Sequence, residues 1–298
     1  MYLITGAGGG VGSVSRTVVD LLLGAGEQVR AMVRRDDQRA QYLRDLGADV
    51  VVGDLTHAAD IADALVGVRR MFFNMSVSAD YLLATAEVCA TALERGHLDA
   101  LVNMSQMTVS QMTLTSTGES KHQRLHWLAE HVLNWSELPV IHVRPAVFLD
   151  NPLFTMLGAK TVRDRGVLAL PFGAGRTSPI AAADVAAAVA AILRDPTDHV
   201  GAVYELTGPQ VLDIDGLAAQ FAEALGRPIA GENLPTDDER RLLESFDVPE
   251  HVRQHIAAMA RLHREDRYNR STDDVERLIG RPAQTVAQYV AAHRDLFD

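Results

Sequence analysis

Apolar residues 2–5 form a short run that ends in glycines, and apolar positions over 11–23 recur at the spacing of a buried helix that Gly24 and Gly26 stop. Further apolar runs at 28–33, 48–52, 70–75, 100–104 and 139–143 predict strands. Between them, the patterns over 36–46, 58–65, roughly 79–95 and roughly 117–135 predict helices. Strand and helix alternate through the first half of the chain, which predicts βαβ units and an α/β fold with a doubly wound parallel sheet. The strands are apolar along their whole length, as strands covered on both faces are. After Pro145 the alternation weakens. Helices are expected over 181–194 and 213–225, a short strand over 203–206, charged helix within 235–265, and two short helices around Gly280-Arg281-Pro282. The expected division is a strand-and-helix part over 1–150 and a smaller, mostly helical part over 151–298. The second is interleaved with the first and forms a lid and substrate region over the sheet's C-terminal edge, where ligands bind in such folds.

Composition narrows the function classes. Of 298 residues, 47% are apolar and 22% charged, which excludes bulk disorder. No uninterrupted apolar stretch reaches about 18 residues, so no membrane span is expected. The net charge of -11 disfavours a phosphate backbone as partner, so no nucleic-acid role is expected. The single cysteine, Cys89, lies in a helical pattern and reads as a small buried hydrophobe. Met1 leads directly into the first strand with no targeting signal, which predicts a cytoplasmic protein. Lys121 and Lys160 are the only lysines, which limits amine-tuned proton chemistry.

Thr5-Gly6-Ala7-Gly8-Gly9-Gly10-Val11-Gly12 joins the first strand to the first helix. Glycines allow a tight turn and leave no Cβ between the backbone and a pyrophosphate. The helix N-terminus offers free N–H groups and a positive dipole end. Thr5, Gly6, Gly8, Gly9, Gly10, Val11 and Gly12 are therefore candidate cofactor residues. After the second strand come Arg34 and Arg35, with Asp36 and Asp37 only later. A guanidinium there can hold a 2′-phosphate bidentately, which favours NADP(H) over NAD(H); the alternative is a solvated Arg34 with Asp36 reaching back to the ribose.

The spacing Gly6-x-x-Gly9-x-x-Gly12, with Val33-Arg34-Arg35 and Gly53-Asp54-Leu55 at the next two strand ends, resembles the NmrA-like type of atypical short-chain dehydrogenase/reductase. His126-x-x-x-Glu130, Leu138-Pro139-Val140, Arg144 to Asn151, Asp184-Val185-Ala186 and Glu205 to Pro209 extend the resemblance over nearly the whole chain. It implies a Rossmann-type fold and an NADPH preference set by Arg34. It also implies that the Asp54 carboxylate and the Leu55 backbone flank the adenine, that Asn74 and Met75 lie beside the adenosine ribose, and that Ser105 lies near the nicotinamide. Asp54 could instead cap the third helix, where Thr56 is better placed. Asn74, or Asn103 at the end of the fifth strand, could cap a local turn.

Tyrosine-type members of the superfamily carry Tyr-x-x-x-Lys on the fifth helix. Here that helix has no tyrosine, and the two positions fall at His122 and His126. These share a helix face, on the flank of a stripe formed by Leu125, Leu128 and Val132. An imidazole can donate a proton near neutral pH, so His126, with His122 and Ser105, is the candidate catalytic group. His126 also matches the histidine of the resembled reductases, and Glu130, one turn on, could fix its tautomer. Zinc on His122 and His126 lacks further ligands, and His251 and His255, also four apart, sit in a charged helix. Met107, Phe148, Phe154 and Met156 could roof the nicotinamide or belong to the core.

The expected activity is NADPH-dependent hydride transfer to a small hydrophobic electrophile such as a quinone, dye, or activated carbonyl or imine. The alternative is a non-catalytic NADP(H)-binding redox sensor that moves its 150–180 or 235–265 segment against a partner. Exposed helices in such folds also leave a homodimer open.

Overall fold

The computed structural model describes residues 1–9, 11–95, 97–245 and 249–298; Gly10 of the glycine loop lies outside them. Its strands, in chain order, are β1 (Tyr2–Ile4), β2 (Val29–Val33), β3 (Asp49–Val52), β4 (Arg70–Phe73), β5 (Ala100–Met104), β6 (Val140–Val143), β7 (Val167–Leu170), β8 (Val203–Tyr204) and β9 (Ala230–Asn233). Seven of them form one sheet in the order β3-β2-β1-β4-β5-β6-β8, every neighbouring pair parallel. The helices of the first half are α1 (Val14–Gly24), α2 (Gln38–Asp45), α3 (Ala58–Ala64), α4 (Tyr81–Arg95) and α5 (Lys121–Trp135). Those of the second half are α6 (Ala159–Arg165), α7 (Ala182–Arg194), α8 (Ile214–Leu225), α9 (Thr236–Ser245), α10 (Glu250–Arg264), α11 (Asp274–Ile279) and α12 (Val286–Ala292).

Strand pleating sends alternate side chains to opposite faces, which is why apolar strands build two cores. Tyr2, Ile4 and Phe72 join one cluster with Val18 and Leu22 of α1, Leu43 of α2 and Val185 and Val189 of α7. Leu3, Met71 and Phe73 join the other with Ile61 of α3, Val88 of α4 and Leu133 of α5. Each such fully buried side chain contributes about 1.5–3 kcal/mol of transfer free energy. The Rossmann-type, doubly wound sheet thus follows from the strand pattern.

β8 extends the main sheet beside β6, and α7 packs on α1. Three elements had no signal in the sequence reading: a π-helical turn over Leu153–Gly158, α6, and the two-stranded sheet β7–β9. The strand expected over 203–206 spans only Val203–Tyr204. The helix expected from about 117 starts at Lys121, because Ser120 caps it: Oγ accepts from Gln123 N at 3.1 Å while Ser120 N donates to Gln123 Oε1 at 2.8 Å. Cys89 is buried and free. Among the described residues no helix is long and apolar enough to cross a membrane.

Candidate active site

The strand order reverses between β1 and β4, and a crevice opens at their C-terminal ends, as parallel sheets dictate at such a switch point. It has two connected halves. One is a cleft of about 620 Å³ over the β1–β2–β3 side; the other is a cavity of about 360 Å³ over the β5–β6 side. Gly6, Gly9, Asn74, Met75 and His122 line both.

The glycine loop divides by task. Gly8 and Gly9 border the cleft, and a Cβ on Gly8 would meet nothing within 4 Å, so backbone there can be approached closely. Gly6 has φ +67°, and a Cβ would lie 2.7 Å from Asn74 O. Gly12 does not border the cleft. At φ +64° its missing Cβ would sit 2.2 Å from Ala182 Cβ, so it is the contact that brings the start of α1 against α7. Val11 opens a short 3-10 turn, Val11–Ser13, ahead of α1. Ser13 makes no side-chain cap to that helix, which leaves its first N–H groups free of a side-chain partner where Ser13, Val14 and Ser15 line the cavity. Thr5 is fully buried, its hydroxyl bonded to Phe72 O at 3.3 Å and Asn74 O at 2.8 Å. It ties the loop to β4 rather than facing the cleft.

At the far end of the cleft Arg34, Arg35, Arg39, Asp37, Asp54 and Leu55 form the wall. Arg34 pairs with Asp54 at 2.9 Å and Arg39 with Asp37 at 2.5 Å, so of these three guanidiniums only Arg35 lacks a carboxylate partner among the described residues. Asp36 is turned to Arg44 at 2.8 Å, so it does not reach back toward a ribose. Asp54 accepts from Thr56 N and Thr56 Oγ1; these bonds, and the nearby Arg34 charge, outweigh burial and hold its carboxyl below the usual range. Neither residue caps α3, whose N-cap is His57 with no side-chain bond. Asn74 donates to Ser15 Oγ at 2.9 Å, binding β4's end to α1, and Asn103 is sealed beneath the site against His142 at 3.0 Å. Neither asparagine caps a turn.

The second cavity holds Ser105, His122 and His126. The histidines lie on the buried face of α5 itself, with Ala129 and Leu133, while Leu125, Leu128 and Val132 are only partly covered, so they are not on the flank of the apolar stripe. Their Nε2 atoms are 3.0 Å apart, and both Nδ1 atoms are buried without a partner. In a neutral pair one Nε2 donates and the other accepts, so each ring's Nε2 is taken up by the other. Burial pushes the His126 pKa down to about 3, and burial with the neighbouring histidines pushes His122 still lower. Burial thus favours the uncharged form of both rings.

Glu130 does not fix His126. It accepts from Ser105 Oγ at 2.5 Å and takes a two-pronged bond from Arg144, Nε at 2.9 Å and a terminal nitrogen at 2.5 Å. Burial pushes its pKa up, but Arg144, then His142 and the Ser105 hydroxyl, more than offset this and hold it below the ordinary value. Ser105's proton is thereby committed to Glu130, and its lone pairs remain for a donor in the cavity.

The remaining wall is apolar. Met107, Phe148, Pro145 and Tyr268 line the cavity, whereas Phe154 is in the core and Met156 lies on the surface, 46% exposed. The cover is α10, not the 150–180 segment, which gives only Asn151 and Pro152. Val252, His255, Ile256 and Met259 face the cavity, while His251 and Gln254 reach the cleft beside Lys121. Sequence reasoning set these histidines aside on the helix's charge. The signal was there in the i, i+3, i+4, i+7 spacing of 252, 255, 256 and 259. The His122 and His255 rings are 4.9 Å apart. Among the described residues no group of three or more His, Cys, Asp or Glu side chains is placed to hold a metal.

The profile of a family described as NAD(P)H-binding matches residues 9–196. The chain is 30% identical over its whole length, and 99% of the relative's, to a (4-alkanoyl-5-oxo-2,5-dihydrofuran-3-yl)methyl phosphate reductase of Streptomyces griseus. It is 28% identical over 97% of both chains to an NAD(P)H azoreductase of Xenophilus azovorans. Among solved structures, an NADPH-dependent quinone oxidoreductase of Escherichia coli bound to NADPH superposes with a TM-score of 0.83 at 24% identity, covering 99% of this chain and 100% of that one. NmrA, a negative transcriptional regulator in complex with NADP, superposes at 0.80 with 17% identity over 97% and 94%.

Proposed function

We propose that this chain, which belongs to the NAD(P)H-binding family, is an NmrA-like oxidoreductase that reduces a small, flat, apolar electrophile at the expense of NADPH. The observation that carries this reading is the continuity of the two cavities. A glycine-floored, arginine-ended cleft suited to a phosphorylated dinucleotide runs directly into an apolar cavity walled by Met107, Pro145, Phe148, Ile256 and Met259. Gly8 and Gly9 and the open start of α1 would take the pyrophosphate, and Arg34 with Arg35 the 2′-phosphate. Asp54 and Leu55 would flank the adenine, and Asn74 and Met75 the ribose. When bound, the reduced nicotinamide supplies hydride. The protein's part is to hold the acceptor against it and to exclude water. Ser105, oriented by Glu130 and Arg144, presents an acceptor for an amide N–H at that end. No charged side chain among the described residues lines the acceptor cavity, which favours a neutral quinone, activated carbonyl or azo group over an anionic substrate.

The test is NADPH oxidation, followed by absorbance, against quinones, azo and triphenylmethane dyes and conjugated ketones, with NADH in parallel. Turnover faster with NADPH supports the reading. Tight NADPH binding with no turnover on any acceptor sinks it and leaves the sensor role.

A further inference from the structure

We propose that His255, on the covering helix α10, is the hydrogen-bond donor to the acceptor: its Nε2–H meets the oxygen or nitrogen that gains charge as hydride arrives. This rests on the reductase reading and names the group that serves it.

Three observations lead here. First, the histidines on α5 are spent on each other, Nε2 to Nε2 at 3.0 Å, with both Nδ1 atoms sealed. Second, the orientation of His255 is set from α5. Its Nδ1 lies 2.9 Å from Ser120 Oγ, and that hydroxyl already accepts from Gln123 N at 3.1 Å as the helix cap. Ser120 is buried, 3% exposed, so leaving its one proton unmated is costly; donating it to His255 Nδ1 resolves this. The proton of a neutral His255 is then on Nε2. Third, Nε2 has no partner among the described residues, yet it is not among the sealed atoms, and His255 lines the acceptor cavity. Ser105 cannot serve in its place, since its proton goes to Glu130, and the Gln106 amide beside it has no bond fixing its direction among the described residues.

The chemistry balances with a neutral donor. Burial pushes the His255 pKa down to about 4, so near neutrality the ring carries one proton and gives up none. Hydride forms the new bond at the acceptor's electrophilic carbon, or at one nitrogen of an azo group. The π pair moves onto the oxygen or second nitrogen, where the Nε2–H bond stabilises it. That atom takes its proton from water afterwards, and the cofactor leaves oxidised.

Menadione is the probe, with His255→Leu and His255→Gln beside the wild type. Leucine is expected to lower kcat/KM for menadione roughly tenfold and to weaken menadione binding to cofactor-free protein, measured by equilibrium dialysis, about threefold. Glutamine, which keeps an N–H donor on a side chain of similar reach, is expected within about threefold of wild type in both. Wild-type constants in His255→Leu overturn the assignment. So does an equal fall of kcat/KM in both variants with menadione affinity unchanged, which would make His255 a packing residue. Absence of wild-type turnover with any acceptor, but weaker menadione binding in His255→Leu, would instead refute the reductase reading and leave the hydrogen bond. A wild type that neither turns over nor binds menadione refutes both.

Discussion

Replacing Glu130 by Gln tests the buried support of the site directly. Glu130 is 4% exposed and its partner Arg144 is largely covered, with 17% of its side chain accessible. The substitution preserves shape but leaves the guanidinium without a counter-charge and Ser105 without its acceptor carboxylate. Removing one member of a buried pair costs about 3–5 kcal/mol, and because the amide oxygen keeps one bond we expect the lower end, about 3 kcal/mol. At an m value of roughly 3 kcal/mol per molar urea, the unfolding midpoint should fall by about 1 M with m unchanged. The pH dependence has a definite sign. Glu130's folded pKa is depressed below its ordinary value, so its contribution is fully present above that ordinary value, about 4.3, and is lost as pH falls through the folded one. The gap between wild type and Glu130→Gln should therefore close in acid. The double variant Glu130→Met, Arg144→Met should recover much of the loss, because it removes both charges together. A midpoint for Glu130→Gln within about 0.2 M of wild type at neutral pH would refute the argument that this pair is energetically coupled.

Other outcomes follow from the same geometry. Gly12→Ala should destabilise by about 3 kcal/mol, from a left-handed φ and the contact with Ala182, whereas Gly8→Ala should unfold like wild type and lose NADPH affinity; calorimetric titration and urea unfolding separate the two. Arg34→Ala should weaken NADPH about tenfold and NADH by less than about threefold in dissociation constants, and equal losses would remove the 2′-phosphate role. His126, His255 and His263 have folded pKa values pushed down to about 3, about 4 and about 3 by burial, so the unfolded chain binds more protons at mildly acid pH. Stability should fall as pH drops below about 6.5, and His263→Phe should flatten that fall in urea midpoints measured across the range.

The sheet and its switch point were legible because strand periodicity and glycine punctuation act locally. Tyr2, Leu3 and Ile4 announce a strand with two buried faces whatever surrounds them. The loop's residues were legible as a set, but not their division, since what separates Gly12 from Gly8 is Ala182, distant in the chain. The partners of the candidate catalytic residues were hidden for the same reason. On the sequence, His122 and His126 are two imidazoles on a helix with Glu130 nearby. Only packing reveals that they bond to each other and that Glu130 is claimed by Arg144 from the end of β6. The 235–265 segment was read by its charges, although its four apolar-facing positions carry the cover of the site. The segment from Leu153 to Leu170 gave no usable period, because a six-residue π-helical turn, the seven-residue α6 and the four-residue β7 are each too short to repeat one.

The cover of the acceptor cavity has an evolutionary consequence. The cofactor cleft is built from loops that the main sheet must keep in register, whereas one face of a single 15-residue helix, α10, closes over the acceptor. Selection can rewrite positions 252, 256 and 259 without disturbing the dinucleotide's footing, so a cavity of different shape becomes accessible by drift along one exchangeable cassette. A lineage built this way would diversify its substrates quickly while its reductant stayed fixed.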